Sequence, residues 1–208
     1  TTAGDYIFRN YPSDSAQGAI IAGIAGDMGL EKVGMITEEN DYTIGIESAF
    51  TASFEGETLT ESFLPTDTDF KTQITKLKSE GVGAIFINPQ TPAKSDLIMK
   101  QLQELGTEGL QIFANDVVMG HSEGLTQYAT LVEGMIGAQT TYNTEHADYD
   151  YLVETYIERT GEAEVPFLTY GSTSYDAVFL LADAFGEVGT SADAIRDWLY
   201  EVDGWEGM

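Results

Sequence analysis

Residues 32–50 read KVGMITEENDYTIGIESAF, in which a short apolar strand runs into an acidic turn and then into an amphipathic helix. Asn40 and Asp41 both suit the start of that helix, because their side-chain oxygens can accept backbone N–H groups. A lone aromatic residue, Tyr42, stands beside them. Two interpretations stay open: Tyr42 packs against its own helix, or it contacts a ligand at the carboxyl end of a parallel strand.

The same succession of strand, turn and helix repeats along the first half of the chain. The strand-like segments are residues 31–37, 57–64, 83–89 and 110–116, and the helical segments are residues 17–29, 42–56, 70–81 and 93–106. The connections between strands are too long for hairpins, so we expect parallel strands with helices between them. We therefore predict an α/β fold with a doubly wound parallel sheet. Thr68 or Asp69 is expected to cap the helix that begins at residue 70.

Polar turns follow three of the predicted strands. They read TEENDY at residues 37–42, INPQTP at residues 87–92 and ANDVV at residues 114–118. Doubly wound sheets bind ligands outside the carboxyl ends of their strands, at the point where the strand order reverses. These three turns are therefore the candidate site.

The pattern changes from about residue 132 onward. Residues 133–150 are expected to begin as a strand and to continue as an irregular crossing. Helices are predicted at residues 149–161, 170–189 and 191–205. Within the second of these helices, SYDAVFLLADAF at residues 174–185 is apolar enough to predict burial. A helical layer needs a sheet to cover, and no partner sheet is evident in this part of the sequence.

The composition excludes several kinds of partner. The chain of 208 residues carries 35 acidic and 9 basic residues, a net charge of −26. Such a field repels phosphate, so we expect no nucleic-acid partner and no binding to an anionic membrane surface. The acids are spread along the whole chain, which indicates a solvated acidic surface that suits high salt or an extracellular location. The chain has no cysteine, which excludes disulfides, iron–sulfur clusters and thiol nucleophiles.

Sequence signals for catalysis and for cofactors are weak. No GxGxxG motif follows a strand and no GxxxxGK[ST] motif occurs, so dinucleotide and P-loop functions lack support. His121 and His146 lack metal-site spacing and are expected to be solvated. Asp67 and Asp69 suit helix capping better than acid–base catalysis. We therefore expect no enzyme, no metal site and no cofactor.

Five segments follow one another in an order that is typical of one family. They read YIFRNYPSDSAQG at residues 6–18, KVGMITEENDYTIGIESAF at 32–50, TDTDFKTQITKLKSEGVGAIFINPQTPAKSDLIMKQLQELG at 66–106, YATLVEGMIGAQTTY at 128–142 and YGSTSYDAVFLLADAF at 170–185. Together they resemble the type I periplasmic binding proteins, in the branch of the branched-chain amino acid (leucine/isoleucine/valine) receptors of ABC transporters. The resemblance covers nearly the whole chain, and it rests on the ordered series rather than on any single motif.

The resemblance implies two Rossmann-like lobes that are joined by three crossings and close on a ligand between them. Residues 10–140 would then form the second ligand-binding lobe. Residues 1–9 and 141–208 would form part of the first lobe, which explains helices without a sheet. The hinge would lie near residues 8–12 and 138–143. The chain is accordingly expected to be a fragment, and the missing first-lobe segment would complete the cleft.

The resemblance also assigns ligand contacts by position. Tyr42 matches a cleft tyrosine, Gln90 or Thr91 matches a polar or aromatic residue after the next strand, and Tyr170 matches an aromatic residue of the returning segment. Asp116 matches an acid that binds the ligand ammonium, and a desolvated ammonium needs such an acceptor. From the residues alone, simpler roles stay open: Asp116 could cap a turn, and Gln90 and Thr91 could form only a rigid loop.

The function that the resemblance implies is that of a non-catalytic, extracytoplasmic solute-binding protein. It would bind an amino acid or a small amide, close about its hinge and deliver the ligand to an ABC permease in the membrane. Its location would be the periplasm or the cell surface, where it would be a lipoprotein. Two alternatives stay open, because doubly wound sheets serve many functions. They are a ligand-binding sensor domain of a receptor or regulator and, less favoured, an enzyme with Asp116 as its base.

Overall fold

The structure, a computed structural model, describes residues 5–208. The chain divides into two compact units. The larger unit comprises Ser13–Gln139, and the smaller unit comprises Thr140–Met208 with the described part of Thr1–Pro12. None of the helices in residues 5–208 is both long enough and apolar enough to cross a lipid bilayer.

Strands and helices alternate in the larger unit, as the sequence predicts. The strands are β1 (Lys32–Glu38), β2 (Glu57–Phe63), β3 (Ala84–Asn88), β4 (Gln111–Ala114) and β5 (Ile136–Gly137). The helices are α1 (Ser15–Asp27), α2 (Asp41–Ser53), α3 (Lys71–Ser79), α4 (Pro92–Leu105), α5 (Asp116–Met119), α6 (Ser122–Gln127) and α7 (Ala129–Val132).

The strands of the larger unit form one sheet in the order β2-β1-β3-β4-β5, and every pairing is parallel. The predicted α/β fold with a parallel sheet is therefore confirmed. The chain adds β2 on one side of β1 and then β3 on the other side, so the strand order reverses between β1 and β3. Their carboxyl ends flank this switch point, where doubly wound sheets bind ligands.

Apolar side chains of the sheet pack against helices on both faces. Val33 and Met35 of β1 lie in one buried cluster with residues of α1 and α2, and Ile36 lies in the opposite cluster with residues of α3 and α4. Burial on both faces explains the continuous apolar strands of the sequence. Helices α1 and α2 approach so closely that a Cβ added at Gly18 would lie 2.1 Å from the Ile46 carbonyl oxygen.

The start of α3 differs from the expectation. The cap position is occupied by Phe70, which makes no side-chain capping bond, so the prediction of Thr68 or Asp69 as the cap is wrong. Asp69 instead accepts a hydrogen bond from the Lys71 N–H at 3.1 Å, and Gln101 Oε1 accepts from the Phe70 N–H at 2.6 Å. Phe70 is fully buried, and Gln101 of α4 supplies the acceptor for its N–H in place of a local cap.

Residues 111–137 contain elements that the sequence did not indicate. Three short helices, α5 to α7, follow β4, and the strand expected within residues 133–150 is only the two-residue β5. Short helices carry too few turns for a recognisable apolar period, so sequence periodicity cannot find them.

The smaller unit is helical in its described residues. It contains α8 (Tyr149–Thr160), α9 (Leu168–Val188) and α10 (Ala192–Glu201), at the positions predicted for three helices. The prediction that residues 174–185 form a buried helix is wrong in one respect: the helix is present but is not buried. Only Ser172 and Ala184 of α9 are buried, whereas Val178 is 65% and Phe185 is 48% exposed. No strand occurs in the described part of this unit, so α9 has no sheet there to cover it.

Candidate functional site

Buried amide side chains join the turns that follow β1, β3 and β4. Asn115 Nδ2 donates hydrogen bonds to Asn88 Oδ1 at 3.0 Å and to the Pro89 carbonyl oxygen at 2.8 Å. Asn88 Nδ2 donates to the Thr43 carbonyl oxygen at 2.8 Å. Both asparagines are fully buried. Because a buried amide is costly unless it is hydrogen-bonded, this network holds the three turns in one arrangement at the carboxyl edge of the sheet.

The start of α2 places Tyr42 at this edge. Asn40 caps the helix, and its Oδ1 accepts from the Thr43 N–H at 3.0 Å. The Thr43 hydroxyl donates to the Glu38 carbonyl oxygen at the end of β1. Of the two caps that the sequence allows, Asn40 is the one observed. Tyr42 stands in the first turn that these bonds fix, and its ring packs against the core face of α1 and α2.

The Tyr42 hydroxyl donates a hydrogen bond to Asp116 Oδ1. Burial of the ring raises the pKa of Tyr42 well above its ordinary value, and the hydrogen bond to Asp116 and the charge of its carboxylate raise the pKa further. Tyr42 therefore stays protonated and acts as a donor. The ring of Tyr42 packs against the cluster of α1 and α2, while its hydroxyl bonds to Asp116, another candidate residue. The two interpretations of Tyr42 therefore do not exclude each other.

Asp116 is the first residue of α5, directly after the cap residue Asn115. Its backbone N–H donates to Gln17 Oε1 at 3.0 Å. Its side chain is partly buried, and Oδ1 is occupied by Tyr42. Among residues 5–208, no hydrogen bond reaches Oδ2 of Asp116. A half-buried carboxylate with one oxygen held and the other open can accept a hydrogen bond from a ligand cation.

Gln90 and Thr91 lie in the turn between β3 and α4, and both are exposed. The Gln90 N–H donates to Glu38 Oε2 at 2.7 Å, and Glu38 itself is only 2% exposed. Thr91 is the cap residue of α4, and its Oγ1 accepts from the Lys94 N–H at 3.4 Å. The backbone of this turn is thus tied to β1, while the Gln90 side chain faces solvent.

Tyr170 lies in the first turn of α9, in the smaller unit, whereas Tyr42, Gln90, Thr91 and Asp116 all belong to the larger unit. Its side chain is 50% exposed. Within its own unit the Tyr170 ring is stacked at 5.4 Å from the ring of Tyr11.

Sequence reasoning missed the buried polar residues that support the candidate site. Gln17, Glu38, Asn88 and Asn115 are at most 6% exposed and each bonds to a turn at the carboxyl edge. The available signal was position: an amide or acid at the last residue of an apolar strand, or inside an apolar helix, is costly to bury without a partner. That argument would have identified Glu38, Asn88 and Asn115, although not their partners.

Residues 120–124 read GHSEG and match the GxSxG pattern of hydrolase nucleophiles. In that pattern the serine stands on a sharp turn between a strand and a helix. Ser122 instead begins α6 and follows helix α5. His121 binds Asp96 at 3.0 Å, but no hydrogen bond joins it to Ser122 among the described residues. The same range holds no group of three or more histidine, aspartate or glutamate side chains placed to bind a metal ion. The motif therefore gives no support to catalysis.

A parallel sheet with helices on both faces and a strand order that reverses between β1 and β3 defines the doubly wound α/β class, in which ligands bind at the switch point. The chain belongs to the periplasmic binding protein family, whose family model matches residues 1–208. The family inferred from the sequence is therefore confirmed, and it is a family of binding proteins rather than a class of enzymes.

Several proteins similar to the chain are named for the amino acids they bind. It is 26% identical over 195 residues to a Leu/Ile/Val-binding protein homologue of Brucella melitensis, covering 90% of this chain and 50% of that protein. The leucine binding protein LivK of Thermotoga maritima matches at a TM-score of 0.74 and 26% identity, over 93% of this chain and 56% of that one. LivJ of Streptococcus pneumoniae in complex with isoleucine matches at 0.70 and 28% identity, over 98% and 58%. The chain thus spans little more than half the length of these relatives.

Proposed function

We propose that the protein is an extracytoplasmic solute-binding protein that takes an α-amino acid as its ligand and supplies it to an ABC permease. The observation that carries the proposal is the pair formed by Tyr42 and Asp116 at the switch point. Asp116 offers one open carboxylate oxygen to an ammonium group, while the protonated Tyr42 holds the other oxygen. Leucine and isoleucine are the first ligands to test, because the relatives are named for these amino acids.

The remaining candidate residues have secondary roles in this proposal. The Gln90 side chain is exposed at the same edge as Asp116 and would contact polar groups of the ligand. Thr91 would act mainly as the cap of α4 and would contact the ligand only secondarily. Tyr170 would cover the ligand from the smaller unit. A small amide remains the alternative ligand class, because Gln90 and Asp116 can bind an amide N–H as well as an ammonium.

The two units support the assignment of lobes. We propose that residues 10–140 are the second lobe and that residues 1–9 and 141–208 belong to the first lobe. The unit boundaries, after Pro12 and after Gln139, lie close to the expected hinge segments. The exposed apolar side chains of α9 further favour a missing first-lobe segment that would cover them. Closure of the lobes about the hinge would bury the ligand and create the form that docks on the permease.

The ammonium role can be tested by calorimetric titration of the full-length protein with L-leucine and L-isoleucine. Asp116→Asn should weaken binding by at least about 30-fold, because a buried charge-assisted partner is lost. The matched control is Asp41→Asn, which removes an equal charge one residue from Tyr42 at an exposed position. Its affinity should stay within about threefold of the wild type.

A second ligand separates the ammonium contact from burial of the side chain. We expect 4-methylpentanoate, which lacks the ammonium of leucine, to bind neither the wild type nor Asp116→Asn. Equal leucine affinity of Asp116→Asn and the wild type would contradict the ammonium role. Failure of the wild type to bind any amino acid would overturn the proposed ligand class.

A further inference from the structure

A buried glutamine connects the first helix of the larger unit to the candidate site. Gln17 lies on α1 and is 6% exposed. Its Oε1 accepts the backbone N–H of Asp116 at 3.0 Å, across 99 positions of sequence. Its side chain also interacts with the hydroxyl of Tyr42 and lowers the pKa of that tyrosine, opposing the larger effect of burial. One side chain thus bonds to the backbone of Asp116 and acts on Tyr42, the two residues that the proposed function requires.

The short helix α5 needs such a contact. It has only four residues, Asp116–Met119, and a helix of that length has almost no stability of its own. Its first N–H groups have no partners within the helix. Asn115 Oδ1 accepts from the Val118 N–H at 3.3 Å, and Gln17 accepts from the Asp116 N–H. Of these two N–H contacts, the contact to Gln17 comes from a different helix, so it sets the position of Asp116 relative to α1.

The position of Gln17 is itself fixed by packing. The next residue, Gly18, lies where α1 touches α2, with space for no side chain. This close approach fixes α1 against the helix that carries Tyr42. Gln17 therefore lies on a helix whose position is fixed by close packing, and it holds the first residue of a four-residue helix.

We infer that Gln17 is a positioning residue: it holds Asp116 so that the Asp116 carboxylate can bind the ligand. It acts through Asp116 and Tyr42 and does not touch the ligand. The inference rests on the proposed function for its effect on affinity. Its geometric part, that Gln17 fixes the start of α5 through the Asp116 N–H, does not depend on any ligand.

Amide hydrogen exchange in the ligand-free, full-length protein tests the geometric part. The variant is Gln17→Met, which keeps the length of the side chain and removes the acceptor. The matched control is Gln101→Met, since Gln101 is 7% exposed and accepts from the Phe70 N–H at 2.6 Å. We expect a crossed result, measured by NMR. Gln17→Met raises exchange of the Asp116 amide about tenfold and spares Phe70, and Gln101→Met does the reverse.

Leucine titration of the same variants tests the effect on binding. Gln17→Met should weaken binding about three- to tenfold, and Gln101→Met should leave it unchanged. In an Asp116→Asn background, Gln17→Met should have no further effect on affinity, because its route to the ligand is gone. A purely structural role would instead weaken binding in both glutamine variants, or lower it again in the double variant.

The outcomes separate the two proposals. If the wild type binds no amino acid, the proposed function fails, and the exchange result alone decides the positioning role. Unchanged protection of the Asp116 amide in Gln17→Met overturns the positioning role even when leucine binds. Should Gln17→Met not fold, Gln17→Leu replaces it, since this smaller apolar side chain also lacks an acceptor. Raised exchange of the Asp116 amide in Gln17→Leu supports the inference, and unchanged exchange contradicts it.

Discussion

The hydroxyl of Tyr42 donates a hydrogen bond to the Asp116 carboxylate and so connects the start of α2 to the start of α5. A carboxylate can only accept, so the hydroxyl must keep its proton. Protonation of Tyr42 is therefore part of the folded arrangement. Burial, the hydrogen bond to Asp116 and the charge of Asp116 all favour the neutral phenol and raise its pKa.

This raised pKa predicts a pH dependence of stability. The ordinary pKa of tyrosine is 10.0, so the unfolded chain loses this proton above about pH 10 while the folded protein keeps it. The stability contributed by Tyr42 is complete below that pH and declines as the pH rises further. Urea unfolding between pH 8 and pH 11 should show a smaller decline for Tyr42→Phe than for the wild type. Identical declines would mean that Tyr42 ionises equally in both states.

At this scale the sequence predicts residue types better than partners. Tyr42 and Asp116 were both singled out, yet their mutual contact was not, since 74 positions separate them. The sequence shows Gln17 only as the first residue of a predicted helix. Its partner, Asp116, lies 99 positions away and is brought to it by folding. Whether these residues bind a ligand stays a prediction.

Helix packing sets the geometry of the site at the scale of elements. A Cβ at Gly18 of α1 would lie 2.1 Å from the Ile46 carbonyl oxygen and 2.8 Å from the Phe50 nitrogen, both backbone atoms of α2. Backbone atoms cannot turn aside as a flexible side chain would. Any larger residue at position 18 must therefore push the two helices apart.

Gly18→Ala is expected to destabilise the protein by about 1–3 kcal/mol, because the packed layer must separate. Gly23, on the same helix, is a matched control, because a Cβ there meets no atom within 4 Å. Gly23→Ala should stabilise the helix by about 0.5–1 kcal/mol. Urea unfolding of both variants measures the difference. Equal effects of the two substitutions would show that α1 and α2 are less closely packed than described.

Long elements were predictable from the sequence, and short ones were not. β1 to β4 and the longer helices follow from apolar runs and from periodic spacing. The helices α5 to α7 and the two-residue β5 depend on tertiary contacts, such as the hydrogen bond that the Asp116 N–H of α5 donates to Gln17. The cap of α3 was predicted wrongly, because the Phe70 N–H bonds to Gln101 of α4, a partner that the local sequence does not show.

Charge dominates the properties of the whole molecule. Nine basic residues cannot neutralise 35 acidic ones, and the net charge is −26. Repulsion among the remaining acids opposes the compact state. The ion pairs that do form are mostly at exposed positions, such as Lys71 with Glu104 and Lys76 with Glu61, where they contribute little.

The melting temperature should therefore rise with sodium chloride, by about 5 °C or more between about 0.1 M and 1 M, as the screening length falls. Calorimetry or circular dichroism measures the shift. Most of the rise should occur below about 0.5 M, because screening saturates. A melting temperature that is constant or falls over this range would show that repulsion does not limit stability.

The burial of α9 was also predicted wrongly from the sequence. The apolar pattern correctly predicted a helix, but such a pattern shows only which residues could be buried. Val178 is 65% exposed and Phe185 is 48% exposed, so the apolar pattern of α9 is only partly covered within the described residues. Whether a helix is buried depends on the other elements that pack against it, so the sequence of the helix alone does not determine its burial.

The position of β2 at the end of the strand order has a consequence for aggregation. Within residues 5–208 no strand pairs with the outer side of β2, and such an edge can template the addition of a strand from another molecule. Glu57 and Glu61 lie on β2 and form ion pairs with Lys32 and Lys76. At neutral pH these charges discourage such addition. Near the isoelectric point of about 4.1 the net charge of the chain is zero. Copies of the chain then repel one another least, so their association is expected to begin at this strand.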